Sequence, residues 1–330
     1  MRIRVIRGRE IKNIKMKTVK AVAPYYHKGG INFKHKPYEA WITLGGKTAK
    51  AHYPCRALHG LAYRYELPIL GKSKKEARLR FVQPYSLSFD TYPDYVQYEI
   101  IPFFWDVWPE NFEKTFTWLA KHDIKTAIFT SSQVAAMVQA KFPRMNVLAV
   151  TEGIDVETYS KGKQLKDREI DFLEYGREID HVVKYSIEDK IKYVRGKRNG
   201  KPIFSQQDLI ENLANSKVVA AYTKKCTNPE QAGDIDTLTQ RYWECMLSGC
   251  IMIGHAPKEL VDLIGYNPVI EVDRENQDGQ LMNVLADIAD YQDLVDRNWN
   301  SAIKYGDWKY SMQKVINLQV IIPLKSSNNG

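Results

Sequence analysis

At 330 residues, 44% apolar and 26% charged, the chain has the length of two ordinary domains and the composition of a globular protein. It holds no apolar run long enough to span a bilayer, and its four cysteines (Cys55, Cys226, Cys245 and Cys250) form no CxxC pair or regular framework, which together predict a reduced, cytoplasmic chain. The net charge of +9 is uneven: residues 1–80 hold 20 Lys and Arg against 4 Asp and Glu, the remainder 28 against 35, so an anionic partner is expected at the N-terminal part.

The N-terminus, Met-Arg-Ile-Arg-Val-Ile-Arg, is basic with no apolar run behind it, which reads against a signal peptide. The first 75 residues are Tyr-rich and irregular, with glycine pairs at Gly29-Gly30 and Gly45-Gly46. From there strand and helix alternate. Strands are predicted over 79–83, 98–104, 126–130 and 146–150, and helices over 111–121 and 133–141. In the second helix Val134, Met137 and Val138 share a predicted face, with Ser131 and Ser132 as candidate caps. Thr151-Glu152-Gly153-Ile154-Asp155 is the candidate hinge between domains 1–150 and 151–330. Beyond it, strands are predicted over 170–175, 218–222, 251–253 and 268–272, and helices over 207–215, 242–247 and 258–263. A long helical region over 279–318 and a disordered tail at 326–330 follow. Alternation at these lengths predicts an α/β fold, with parallel sheets covered by helices.

Residues 233–254 carry the densest chemistry. An acidic loop with Asp234 and Asp236 runs into a helix bearing Glu244, and Gly249 ends that helix before the apolar strand Cys250-Ile251-Met252-Ile253. Thr237 or Thr239 caps the helix start, where backbone N–H groups face an anion. Arg241 can meet a diphosphate in a bidentate contact, and carboxylates accept hydrogen bonds from hydroxyls. The segment therefore suits a phosphorylated, hydroxyl-rich ligand. Further upstream, Tyr25, Tyr26, Phe33, Tyr38 and Trp41 lie among lysines, a combination that suits a membrane surface or single-stranded nucleic acid.

Asp236-x7-Glu244 followed by Cys-Met-Leu-Ser-Gly-Cys-Ile-Met-Ile-Gly resembles the nucleotide-sugar site of GT-B glycosyltransferases, especially the family 4 type with its Glu-x7-Glu and Ala-x-Ala-x-Gly-x-Pro-Val-Ile. Glu152-Gly153-Ile154-Asp155 resembles that family's Asn-Gly-Val-Asp linker, and Glu174-Tyr175-Gly176-Arg177 its strand-Gly-Arg turn. Ile101 to Pro109 resembles its His-Asp-x-x-Pro region, and Pro24-x4-Gly29-Gly30 its glycine loop, with Gly45-Gly46 as the competing pair.

The resemblance implies two Rossmann-like domains facing across a cleft. The acceptor would sit on the first, the nucleotide sugar on the second, and a C-terminal helix would pack back on the first. Glu244 would bind ribose hydroxyls, and Arg177, Lys184, Thr239 and Arg241 would hold the diphosphate. Asp236 would touch the transferred sugar or position its loop, and Asp106 would face the acceptor. It also implies transfer from a nucleotide-diphosphate sugar to a glycan or lipid-linked acceptor in cell-surface polysaccharide synthesis, with retention and with no metal or other cofactor. The protein would lie in the cytoplasm or at the inner face of the membrane, held through residues 1–80. Nucleic acid is not expected, for want of a reader motif. This chain departs from the pattern at Asp236, one methylene shorter than Glu, at Trp105, where His stands in the family, and at Lys184, displaced from the usual place after the Gly-Arg turn. These departures keep a non-catalytic sugar-nucleotide-binding or partner protein as the alternative.

Overall fold

The computed structural model describes residues 18–25, 34–65, 76–177, 179–180, 182–198 and 201–318. The pair Gly29-Gly30, the arginines at 2, 4, 7 and 9 and the tail 326–330 lie outside the described residues.

Two parallel sheets organise the chain. The first contains β1 (Thr18–Val22), β2 (Thr48–Ala49), β3 (Glu76–Val82), β4 (Glu99–Phe104), β5 (Thr126–Phe129) and β6 (Asn146–Ala149), in the spatial order β2-β1-β3-β4-β5-β6. Its helices are α1 (His35–Thr43), α2 (Arg56–Arg64), α3 (Leu87–Thr91), α4 (Asp94–Gln97), α5 (Phe112–Lys121) and α6 (Ser132–Lys141). The second sheet contains β7 (Ile170–Glu174) and β8 (Tyr193–Arg195); a small hairpin, β9 (Lys197–Arg198) and β10 (Lys201–Pro202), stands apart. β11 (Ser216–Ala221), β12 (Ile251–Gly254) and β13 (Val269–Glu271) complete that sheet in the order β13-β12-β11-β7-β8. Its helices are α7 (Gln206–Ala214), α8 (Lys224–Thr227), α9 (Pro229–Ala232), α10 (Gln240–Leu247), α11 (Lys258–Ile264), α12 (Gln277–Ala286), α13 (Gln292–Tyr305) and α14 (Trp308–Leu318).

Strands covered on both faces are mainly apolar, and β4 shows it beyond Glu99: Ile100, Ile101, Phe103 and Phe104 are all buried. Val82 pairs with Phe104 and Phe104 with Phe129, so β3, β4 and β5 end level and their loops leave from one edge. In the second sheet Ala221, Gly254 and Glu271 are level in the same way. Parallel sheets bind ligands at such carboxyl edges.

The first strand was hidden from periodicity by Lys20 at its centre, whose ammonium pairs with Glu76 on β3 at 2.5 Å. In α6 the buried stripe runs through Val134, Ala135 and Val138, leaving Met137 at its edge and 41% exposed, contrary to the shared face expected of it. The predicted helical region over 279–318 breaks into α12, α13 and α14. Its last break turns the chain back to the first sheet. Gly306 accepts a hydrogen bond from Ile154 N at 2.8 Å, beside the segment 151–155. Trp308, Met312 and Val315 then enter the first sheet's core with Phe103 and Trp105. Trp105 packs its ring against Phe103, with ring centroids 4.6 Å apart, and against Trp308 at 5.8 Å.

Trp308→Ala should therefore destabilise the first domain by about 3–5 kcal/mol, the usual cost of emptying a buried aromatic site. Chemical denaturation read by the remaining tryptophans would show the lowered midpoint.

Candidate functional site

The carboxyl edges of the two sheets enclose a cavity of about 330 Å³. Its first wall comes from the segment after β4, Trp105 to Trp108, and the segment after β5, Thr130 and Ser131. Glu152 lines it from the hinge, and Tyr175, Arg177, Thr237, Thr239, Gln240, Arg241 and Glu244 line it from the second domain.

Each element aims its side chain for a local reason. β7 ends at a turn in which Gly176 takes φ +79°, a left-handed backbone that only glycine adopts without strain. The Arg241 guanidinium lies across this turn, where a Cβ on Gly176 would fall on its Nη2, and sits 5.2 Å from the Tyr175 ring. Thr239 caps α10 with extended backbone, but its side chain accepts no cap hydrogen bond and its hydroxyl is buried without a partner. Arg241 Nη1 is likewise buried and unpartnered. One turn further along α10, Glu244 accepts from Tyr159 at 2.9 Å and from Tyr175 at 2.8 Å, one hydroxyl to each carboxylate oxygen. Burial, with Glu244 adding to it, raises the pKa of both tyrosines, so both remain donors at neutral pH.

Charge is concentrated around the cavity. Burial and the neighbouring Arg241 pull the Arg177 guanidinium below its usual value. Burial pushes the Glu152 carboxyl up to about 8, and the charge of Asp106 adds to that rise. Asp106 itself has φ +51°, a conformation that costs a non-glycine residue energy and that clusters at functional sites. Gln83 Nε2 reaches its Oδ2 at 3.4 Å.

Of the residues singled out in the sequence, the structure brings Asp106, Arg177, Thr239, Arg241 and Glu244 together on one cavity. It does not place Asp236 or Lys184 there. Asp236 Oδ2 lies 2.9 Å from His255 Nε2, and its backbone N–H donates to Gln133 at 2.6 Å, so it ties the loop 233–239 down, while its Oδ1 is buried without a partner. Asp234 points away, 3.9 Å from Lys225. Lys184 is exposed, and its carbonyl accepts from Gln277 in α12. Gly45-Gly46 follows α1 against the Trp41 ring and does not line the cavity. Glu152, Tyr159 and Lys224 had no assigned role in the sequence reading. Lys224 follows β11 and stands 4.1 Å over the Trp108 ring, where burial lowers its pKa. No group of His, Cys, Asp or Glu among the described residues is arranged to hold a metal ion.

This architecture is the GT-B fold. No protein-family model matches the chain, and no curated protein matches it. Solved structures match it by shape. Sucrose-phosphate synthase from Thermosynechococcus elongatus superposes with a TM-score of 0.57 at 10% identity, covering 92% of this chain and 99% of that one. Anabaena HepE, solved in complex with UDP and glucose, gives 0.56 at 10% identity, covering 92% of this chain and all of that one. TarM gives 0.51 at 13% identity, over 79% of this chain, which spans only 58% of TarM's length.

Two site groups set a pH dependence of the same sign. Glu152 is raised by burial, so its contribution to stability is present at low pH and is lost as pH rises towards about 8. His255 is raised above its ordinary value by Asp236 and by Glu271, so its contribution is complete below the unfolded value near 6.5 and is lost above it. Melting temperature should fall between pH 5 and pH 8.5, and Glu152→Gln should flatten that fall while Glu113→Gln, on an exposed helix face, leaves it unchanged.

Proposed function

We propose that the chain is a glycosyltransferase that takes its sugar from a nucleoside-diphosphate donor bound on the second domain. One observation carries the reading: two arginines and a helix N-terminus converge on the cavity, with Arg241 Nη1 and Thr239 Oγ1 buried and unpartnered, beside a carboxylate oriented by two tyrosines. Buried polar groups need partners, and a diphosphate beside a ribose diol supplies acceptors for the arginines and donors for Glu244. The neighbour HepE, with UDP and glucose bound, supports the same ligand class.

In this reading the bond from the anomeric carbon to the diphosphate oxygen breaks as an acceptor hydroxyl oxygen bonds to that carbon. The hydroxyl proton passes to the departing diphosphate, and configuration is retained. Negative charge grows on the diphosphate, and Arg177 and Arg241, fixed beforehand, stabilise it without a bound metal. Asp106 orients the acceptor hydroxyl from the opposite wall. Asp236, bonded to His255, keeps the loop 233–239 in place. Likeness of the motifs to family 4 enzymes supports an acceptor that is a glycan or a lipid-linked saccharide of a surface polysaccharide.

Calorimetric titration with UDP and GDP in EDTA tests the donor site. The better of the two should bind in the presence of chelator, and Glu244→Gln should weaken it by about 1.5–3 kcal/mol, the worth of a charged hydrogen bond. Unchanged affinity in the folded variant would remove Glu244 from the site.

The acceptor side is read as facing an anionic membrane surface. Residues 1–80 are strongly basic, and on α2 the apolar Leu58, Leu61 and Tyr65 are exposed at helical spacing, near Arg56 and Arg64. No helix among the described residues is long and apolar enough to cross a membrane. Reversing the charge of Arg2, Arg4, Arg7 and Arg9 should reduce sedimentation with anionic vesicles, and equal binding by the reversed protein would show that these arginines are not the anchor.

A further inference from the structure

The most heavily bonded carboxylate in the described structure belongs to none of the groups placed in the cavity. Glu259 stands in the first turn of α11, in the second domain. Its Oε2 accepts from Thr237 Oγ1 and from the backbone N–H of Leu238, each at 2.9 Å. Its Oε1 reaches across to the first domain and accepts from the Ser132 backbone N–H at 2.5 Å, from Ser132 Oγ at 2.6 Å and from Ser131 Oγ at 3.5 Å.

We propose that Glu259 is a positioning residue that latches the two domains closed, with one carboxylate oxygen fixing each wall of the cavity. Ser131 and Thr237, each bonded to it, line that cavity from opposite sides.

The chemistry of the latch follows from where it lands. Ser132 is the first residue of α6, whose leading N–H groups have no partner within the helix and carry partial positive charge. A carboxylate from the other domain satisfies one of them. Hydrogen bonds to an ionised acceptor are about twice as strong as neutral ones. Ser132 is nevertheless exposed, so water can replace Glu259 when the domains part, and the contact is reversible. A second tie runs alongside: the Asp236 N–H donates to Gln133 of α6 at 2.6 Å. Loop 233–239 is thus held to the second domain by Glu259 and His255, and to the first by the same carboxylate and by Gln133. Opening the cleft removes the first-domain ties and leaves the loop that presents Thr237 and Thr239 held by the second domain alone.

The geometry requires a carboxylate of this length. Glutamine keeps the shape but offers one accepting oxygen, and turns its NH2 towards a backbone N–H on the other side. Two variants strike the two halves separately. Glu259→Gln acts from the second domain. Ser132→Pro removes the N–H and the hydroxyl from the first, at a helix position where proline is favoured and after a residue, Ser131, that is already extended.

Small-angle X-ray scattering on the full chain, without nucleotide, reads closure directly and is independent of the transfer chemistry proposed above. Each variant should increase the radius of gyration, with melting temperature as the control for folding. The double variant should open no further than either single one, because both remove the same contact. Where a nucleoside diphosphate binds, its affinity should fall about tenfold for each tenfold loss of the closed population. A radius of gyration unchanged in Ser132→Pro, or increments that add in the double variant, would overturn the latch. Should Glu259→Gln fail to fold, Ser132→Pro decides alone.

Discussion

Two stretches of chain cross between the sheets, 151–155 going out and 306–308 coming back, and they run side by side. Ile154 N–H donates to Gly306 O at 2.8 Å, and Trp308 N–H returns to Ile154 O. The closeness is possible because Gly153 has no side chain: a Cβ there would come within 2.7 Å of Trp308 N. Trp243, from the middle of α10, donates its ring N–H to Glu152 O, and Gln240 donates to Gly153 O at 3.0 Å. The helix that bears Arg241 and Glu244 is therefore anchored on the hinge itself. Any shift of the crossing moves the α10 side of the cavity with it.

Within that frame the cavity holds an electrostatic imbalance that only a ligand of the right sign removes. Arg177 and Arg241 repel each other in a partly desolvated space, and Arg241 is stabilised on one side only by the face of the Tyr175 ring. On the same cavity, burial and Asp106 keep Glu152 uncharged well above the usual carboxylate range. In the proposed reading, a doubly charged diphosphate would relieve the arginines, and a neutral Glu152 would add no repulsion to its arrival. Preorganisation of this kind is what transition-state stabilisation demands, since groups already in place need not reorganise as charge develops.

Much of the second domain was legible in the sequence because its signals are local. Gly249 at φ +66° ends α10, the strand that follows is apolar throughout, and Gly176-Arg177 forms a turn at the end of a strand. Arg241, Thr239 and Glu244 could be read from that grammar, and Arg177 from the resemblance of its turn to a known one. The residues that escaped it depend on contacts far apart in sequence. Asp236, for which loop positioning was one of two expectations, meets His255 19 positions away, and Glu259 meets Ser132 127 positions away, so neither contact is written in any window. Lys184 looked right by spacing from Arg177, but its backbone lies against α12, where its carbonyl accepts from Gln277. In the first domain β1 and α1 went unread because a lysine interrupts the strand and the helix buries only Pro37, Ala40 and Trp41, which leaves little period to detect.

The return of α14 to the first sheet has a consequence for how the protein is made. Phe103 and Trp105 are buried partly by Trp308, Met312 and Val315, which leave the ribosome after the strands of both sheets. Domains ordinarily fold in the order of their synthesis. Here the earlier domain emerges with an aromatic face uncovered and must keep it from other chains while the entire second domain is translated. Among the described residues it is α14 that closes the first core, so that face stays exposed while the second sheet is made, and a nascent chain halted before residue 308 lacks Trp308, Met312 and Val315 to cover it.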